Sequence, residues 1–430
     1  MSSPQDFKTF DRDASRATPK AAWRALALLV AVNVFSQVDR QLMNILVEPV
    51  KAEFDLSDTQ MGLLAGLAFA LFYTLAGIPI ARFADRWSRR NLIAICLALW
   101  SLFTVLCGAA RSYLTLAFAR FGVGVGEAGC APAAQSMIAD FFPPEARGRA
   151  LATYQLGVPL AFLVGPVIGG FLAEAYGWRV AFVAVGLPGV VFALFVGRFL
   201  EEPVRGGFDG AEAAGEAPPF LDAVRYLWRR SAMRHTVAAA SLQTATLGAW
   251  AVFIPAFLMR EHGLTLGEVG WRYALIAGLG GSVGTLAGGW IGDRLGARDA
   301  RWYIWAPMIG ALVAIPTSTV AFTAPDLNAA VAFLVVMQIG GMTYAGVVHA
   351  VTQSLATPRI RALTAAIALF AMNLIGFGGG PYLAGRLSDW LGGENSLGHA
   401  LVLMNIVLLW GCLHYALAGR SYRADLSRAD

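Results

Sequence analysis

Residues 22–50 read AWRALALLVAVNVFSQVDRQLMNILVEPV, an apolar run long enough to cross a bilayer as a helix. An acid and a base, Asp39 and Arg40, stand side by side near its centre. Charge at that depth costs roughly 2.5–3.5 kcal/mol per residue even on the mildest insertion scale. Packing alone does not justify such a cost. The pair must face protein or a water-filled chamber, where it serves a proton, an ion or an anionic substrate.

The rest of the chain fits a membrane setting. Of 430 residues, 57% are hydrophobic and 14% charged, against roughly 25% charged in soluble proteins. Forty-seven glycines scattered through apolar stretches suit closely packed membrane helices. The net charge of +5 does not point to nucleic acid, because most basic residues lie in short loops. Cys96, Cys107, Cys130 and Cys412 are widely spaced in apolar runs and form neither a disulfide framework nor a metal cluster. The polar N-terminus lacks the pattern of a cleaved signal peptide.

Twelve segments can hold a membrane helix: 23–48, 60–82, 91–110, 113–138, 149–174, 178–199, 235–259, 268–291, 300–323, 327–352, 362–388 and 397–418. The expected fold is an all-α membrane protein with twelve transmembrane helices in two pseudo-symmetric six-helix bundles. Residues 1–22 form a cytoplasmic tail, 23–200 the first bundle, 201–233 a linker, 234–418 the second bundle and 419–430 a second tail. Within the linker, Pro219–Arg230 reads equally as an amphipathic surface helix or a solvated loop. With both termini cytoplasmic, about 25 Lys and Arg fall inside and six outside: Lys51, Arg111, Arg179, Arg260, Arg272 and Arg386. The positive-inside rule favours that orientation, in a plasma (inner) membrane.

The halves repeat each other. LSDTQMG from Leu56 returns as LTLGEVG from Leu264, and ADRWSRR returns as GDRLGAR, both at an offset of 208 residues. RGRAL at Arg147 then matches RIRAL at Arg359, and GPVIGG at Gly165 matches GPYLAG at Gly380. Four matches in one order mark two related bundles, an arrangement that puts a substrate site near the midplane between them.

The loops ARFADRWSRR and GWIGDRLGAR resemble the signature of the major facilitator superfamily, although Ala81 and Ser88 stand where glycine is usual. Arg120-Phe-Gly-Val-Gly124-Val-Gly126 is similar to its fourth-helix motif, and Gly157 with Gly165-Pro166-Val-Ile-Gly169-Gly170 to its fifth-helix motif. Within the superfamily, VDRQ, FDLSDTQMGLLAG and RFGVGVGEAGCAPAAQSMIADFFP look like the spinster branch, which the resemblance associates with export of sphingolipids and lysophospholipids. A neighbouring branch of anion:proton symporters also carries Asp-Arg in its first helix and Arg with a later Glu in its fourth. The substrate implied is therefore an amphiphilic anionic lipid or, alternatively, a small organic anion.

Arg120 and Glu127 are two helical turns apart, on nearly one face. Asn33, Gln37, Arg40 and Asn44 form a polar stripe on the first helix. The reading that follows is proton-linked alternating access. Asp39 and Glu127 carry the proton, since desolvation raises a carboxylate pKa and a nearby Arg lowers it. Arg40 and Arg120 compete for those carboxylates and for an anionic head group, with Asn33 and Gln37 beside them. The competing reading makes Asp39–Arg40 and Arg120–Glu127 static ion pairs, which add little stability when buried. In the second half, Trp250, Tyr344, His349 and Asn373, with Gln243, Thr244 and Thr246, are candidates to line the chamber, although for each one alone an interhelical hydrogen bond is the favoured role. Asp85 and Asp293, with Arg86, Arg89, Arg90 and Arg294, read as a cytoplasmic gate in which each Asp pairs with a basic residue or helix terminus of the opposite half and holds the outward-facing state; plain topology charges are the rival reading, which covers the arginines but not the repeated Asp. No HExxH, P-loop or GxSxG occurs in a fitting context, so an enzyme is not expected, nor a cofactor or metal. The partners expected are the lipid bilayer, protons and the anionic substrate, with the chain working as a monomer and binding no nucleic acid.

Overall fold

The computed structural model describes residues 19–84, 87–206, 208, 220–357 and 360–428. Eleven helices among them are long and apolar enough to cross a membrane. The first is Lys20–Ile45, the second Asp58–Gly77, the third Arg89–Gly108, the fifth Pro144–Tyr176 and the sixth Trp178–Phe199. The seventh to twelfth are Ser231–His262, Leu266–Gly296, Trp302–Thr323, Leu327–Ser354, Leu363–Leu391 and Ser396–Leu426. The fourth span is two shorter helices, Tyr113–Glu127 and Cys130–Phe141. Pro132 explains the interruption: it has no N–H to give the Ala128 carbonyl, and its ring crowds that oxygen. The chain answers with a tightened turn in which the Ala128 N–H reaches Val125 O. Glu127 is thereby the last residue before the break.

Ion pairs at the two ends of the first half show that its spans alternate in direction. At one end, Arg179 joins Glu53 to the Ala110 carbonyl, and its guanidinium holds the Glu53 carboxyl below the usual carboxylate range. At the other, buried Arg89 joins Asp140, Glu202, Ser136 and the Pro203 carbonyl. The third span packs on the sixth and the first on the fifth; in the second half the ninth packs on the twelfth and the seventh on the eleventh. The linker contributes a helix, Phe220–Arg229.

The sequence repeat is a structural repeat. Ser57 and Thr265, 208 positions apart, each cap a helix start by a reciprocal box, with Gln60 and Glu268 as the returning partners. Each capped start then docks on the other half. The carboxylate of Asp389 accepts the N–H groups of Asp58 and Thr59, and that of Glu174 accepts the N–H of Gly267. These are anions at helix N-termini, where the dipole and the free N–H groups favour them. Glycines permit the approach. A Cβ on Gly385 would lie 2.2 Å from Asp58 O, and one on Gly170 would lie 2.4 Å from Leu266 O. The same symmetry puts Gly62 against Pro381 and Gly270 against Pro166.

The halves are thus clamped together at the face away from the chain's described ends. Gly385→Val should prevent that clamp, because the obstructing atom is backbone and overpacking costs about 1–3 kcal/mol. Spin labels at Asp55 and Glu394, both exposed and on opposite halves, should move apart by several ångström in the variant; an unchanged distance would refute the assignment.

Candidate functional site

Asp39 and Arg40 point to different neighbours because consecutive helical residues lie about 100° apart. Arg120 and Glu127, two turns apart, are too distant to bond each other directly. The four groups therefore pair crosswise. Arg120 Nη1 donates to Asp39 Oδ2 at 3.2 Å, and Thr104 Oγ1 donates to Asp39 Oδ1 at 2.6 Å. Arg40 donates to Glu127 Oε2 through Nε and Nη2, each at 2.8 Å, and Ser36 Oγ donates to the same oxygen at 3.0 Å. The pairs named by the competing static reading, Asp39–Arg40 and Arg120–Glu127, are thus not the ones formed; the contacts are Arg120–Asp39 and Arg40–Glu127.

The two pairs differ in access. The Arg120 and Asp39 side chains are each 2% exposed, whereas Arg40 is 25% exposed beside a Glu127 at 1%. Glu127 Oε1 and Arg120 Nε are buried and have no hydrogen-bond partner among the described residues. Phe69 and Tyr73 of the second span wall the centre, with the Arg40 guanidinium 4.7 and 4.8 Å from their ring centroids. The glycines of the fourth span let these walls close in: a Cβ on Gly124 would lie 3.0 Å from Phe69 O, and one on Gly126 would lie 2.8 Å from the Trp100 nitrogen. Ser36, Thr104, Phe69 and Tyr73 had no distinguishing mark in the sequence, since single hydroxyls and aromatics are common in membrane helices.

A second cluster, also missed in the sequence, closes the clamped face. Arg260 forks onto both Glu48 and Asp58 of the other half, at 2.5–2.8 Å. Asp58 also accepts from Lys51 Nζ at 2.6 Å and from Ser388 Oγ at 2.7 Å. Arg260 and Lys51 had been read only as loop charges. Arg260→Ala removes charge-assisted bonds worth about 1.5–3 kcal/mol. The population opened at this face should rise roughly 10- to 100-fold, read with the same Asp55 and Glu394 labels; no change would show that the latch is idle.

The other expected site residues scatter. Asn33 turns to the fifth span, donating to Tyr154 O beside Gly157, and Asn44 donates to Gln41 Oε1, so the polar stripe divides between packing partners. Gln37 and His349 are half-buried, with no side-chain hydrogen bond among the described residues. Asn373 bonds back to Leu369 O. Trp250 is fully buried and donates to Leu401 O, and buried Tyr344 pairs with Thr244; both lie in the second bundle's own core, and Gln243 is held there by Gly341 O and Tyr415. Thr246 likewise donates to Met404 O. An apolar helix face gives no sign of whether its few polar atoms face a chamber or the next helix.

Of the gate candidates, Asp85 and Arg86 lie outside the described residues. The rest bond within their own halves; the cross-pairing is expected of the outward-facing state, closed at this face, and a structure closed at the opposite face leaves it open. Arg89 belongs to the cluster above, and the Arg90 N–H goes to Glu202. Asp293 accepts from Tyr303, and Arg294 lies over Trp290. The physical reason is that the hydrogen bonds joining the halves sit at the opposite face.

Comparison with known proteins agrees with this geometry. The family described as Major Facilitator Superfamily matches residues 29–381. An MFS-type efflux pump of Mycolicibacterium smegmatis is 38% identical over 99% of both chains. A D-galactonate transporter of Escherichia coli is 27% identical over 91% of this chain and 94% of its own. A crystal structure of a bacterial homologue of the human lysosomal transporter Spinster, inward-facing and unoccupied, is 29% identical with a TM-score of 0.86, covering 95% of this chain and 99% of that one.

Proposed function

The chain belongs to the major facilitator superfamily as a spinster-like, multi-pass membrane transporter, and from that premise we propose that it moves an amphiphilic anion by proton-coupled alternating access. The observation that carries the proposal is the crosswise centre. Its outer pair, Arg40–Glu127, has one partly exposed guanidinium and one carboxylate oxygen with no partner among the described residues. An anionic head group arriving at Arg40 competes with Glu127 for the same donors, and Glu127 released from Arg40 takes up a proton. Arg120–Asp39 is the inner pair that relays the change to the third and fourth spans. The likeness to an inward-facing structure, together with closure at the face away from the chain ends, supports an inward-facing state with cytoplasmic termini.

The test uses purified protein in liposomes. Uptake of a radiolabelled lysophosphatidate, driven by an imposed pH gradient and saturable, is the expected result. Flux insensitive to the gradient removes the coupling. The second reading, a small organic anion, is favoured by the galactonate-transporter relative. It predicts that D-galactonate, not the lysolipid, is carried.

A further inference from the structure

Thr104 Oγ1 makes two contacts that a single hydroxyl proton cannot serve at once. It lies 2.6 Å from Asp39 Oδ1 and 2.9 Å from Trp100 O, a carbonyl that can only accept. When the hydroxyl donates to Asp39, the carboxylate is ionised. When it donates to Trp100 O, the short contact to Oδ1 is a hydrogen bond only if Asp39 is the donor, as a carboxylic acid. We propose that Thr104 is a positioning residue for proton coupling: its hydroxyl turns between the carboxylate and the Trp100 carbonyl and so holds Asp39 in either protonation state. This role rests on the proton-coupled reading above and gives the inner pair a proton of its own.

The surroundings suit both forms. Thr104 and Asp39 are buried, so bulk water does not compete for the hydroxyl. Donation to the carbonyl four residues earlier is an ordinary threonine conformation within a helix. Trp100 O lies inside the third span, where the Thr104 backbone N–H also reaches it, so it keeps a donor when the hydroxyl turns away. Arg120 holds the other oxygen, Oδ2, by one bond at 3.2 Å, long for a charge-assisted contact, whereas Arg40 grips Glu127 twice at 2.8 Å. An anion that draws Arg120 away leaves Asp39 as a buried charge without its cation, which is costly unless it takes a proton. That proton settles on Oδ1, the new O–H donates to Thr104 Oγ1, and the Thr104 proton turns to Trp100 O. No backbone moves, and Oδ1 keeps its partner throughout. The titratable and charged groups facing Asp39 among the described residues are Arg120 and Glu127 of the fourth span, Cys107 of the third and Arg40 beside it. Among these residues only Thr104 is hydrogen-bonded to Oδ1.

The experiment titrates full-length protein in lipid by difference infrared spectroscopy, in which a protonated carboxyl gives a band that Asp39→Asn removes. In the parent, the Asp39 band should grow in as the pH falls. Thr104→Val keeps the shape and deletes the hydroxyl. Ionised Asp39 then loses a charge-assisted bond and the acid form only a neutral one, so the midpoint should rise by about one pH unit. The band should also move to higher frequency, because the acid O–H has lost its acceptor. The pH profile of gradient-driven uptake should shift with the midpoint. Thr104→Ser, which restores the hydroxyl, should return all three to the parent values. A parent with no Asp39 band at any pH where it stays folded overturns the proposal, and that measurement needs no variant of Thr104. So does a Thr104→Val protein whose midpoint and frequency match the parent. Flux that ignores the pH gradient, in a parent whose Asp39 band responds to Thr104, refutes the coupling and leaves the hydroxyl switch standing.

Discussion

Glu127→Gln should leave the protein folded and cut proton-driven flux roughly 10- to 100-fold, while gradient-free exchange of substrate across the membrane persists. The side chain is 1% exposed, and its Oε2 collects Arg40 and Ser36. Glutamine has the same shape, and its amide oxygen can still accept from Arg40, so the local packing survives. What disappears is the ionised acceptor. Exchanging a charge-assisted bond for a neutral one forfeits about 1.5–3 kcal/mol, and an amide cannot load and release a proton. The same change has an opposite effect on binding. With its carboxylate rival gone, Arg40 is freer to grip an anion, so substrate affinity should rise as coupling falls. Measuring binding and gradient-driven uptake on one preparation separates the two. Intact coupling in the variant would take Glu127 out of the mechanism, and a parallel loss of binding and uptake would make it a plain structural residue.

What the sequence made legible follows from short-range rules. Apolar run lengths placed the spans, and the boxes starting at Ser57 and Thr265 are visible as Ser or Thr followed three residues later by Gln or Glu. That Asp39, Arg40, Arg120 and Glu127 share one centre was also readable, because charge in an apolar helix must find company. Which base meets which acid was not, since it depends on how the first span is rotated against the fourth. The Arg260 latch was hidden for a related reason. Its partners Glu48 and Asp58 lie more than 200 positions away on the other half, and at a loop each charge looks like a topology marker. For Trp250 and Tyr344 the interhelical hydrogen bonds favoured for each alone are the ones formed, but which of the polar groups would face the chamber was not legible, because core-facing and chamber-facing groups have the same local sequence.

Arg120→Leu should be the most destabilising of the changes at the centre, at about 3–5 kcal/mol, because it strands Asp39 without its cation in a site where both side chains are 2% exposed. Thr104 still donates to Asp39 Oδ1 but cannot neutralise it. Low yield and a depressed melting temperature are the expected readouts. The double variant Asp39→Asn with Arg120→Gln removes both charges and keeps the shape, so it should recover most of the stability lost by the single change. Its transport then decides what the pair is for. If Arg120–Asp39 only braces the third and fourth spans, the folded double variant carries substrate down a pH gradient as the parent does. If the pair relays protonation from Arg40–Glu127, the double variant binds substrate yet loses gradient-driven uptake. The second outcome is expected. The two pairs share one small chamber wall at Phe69, with both guanidinium groups over its ring, so releasing one arginine changes the field felt by the other pair.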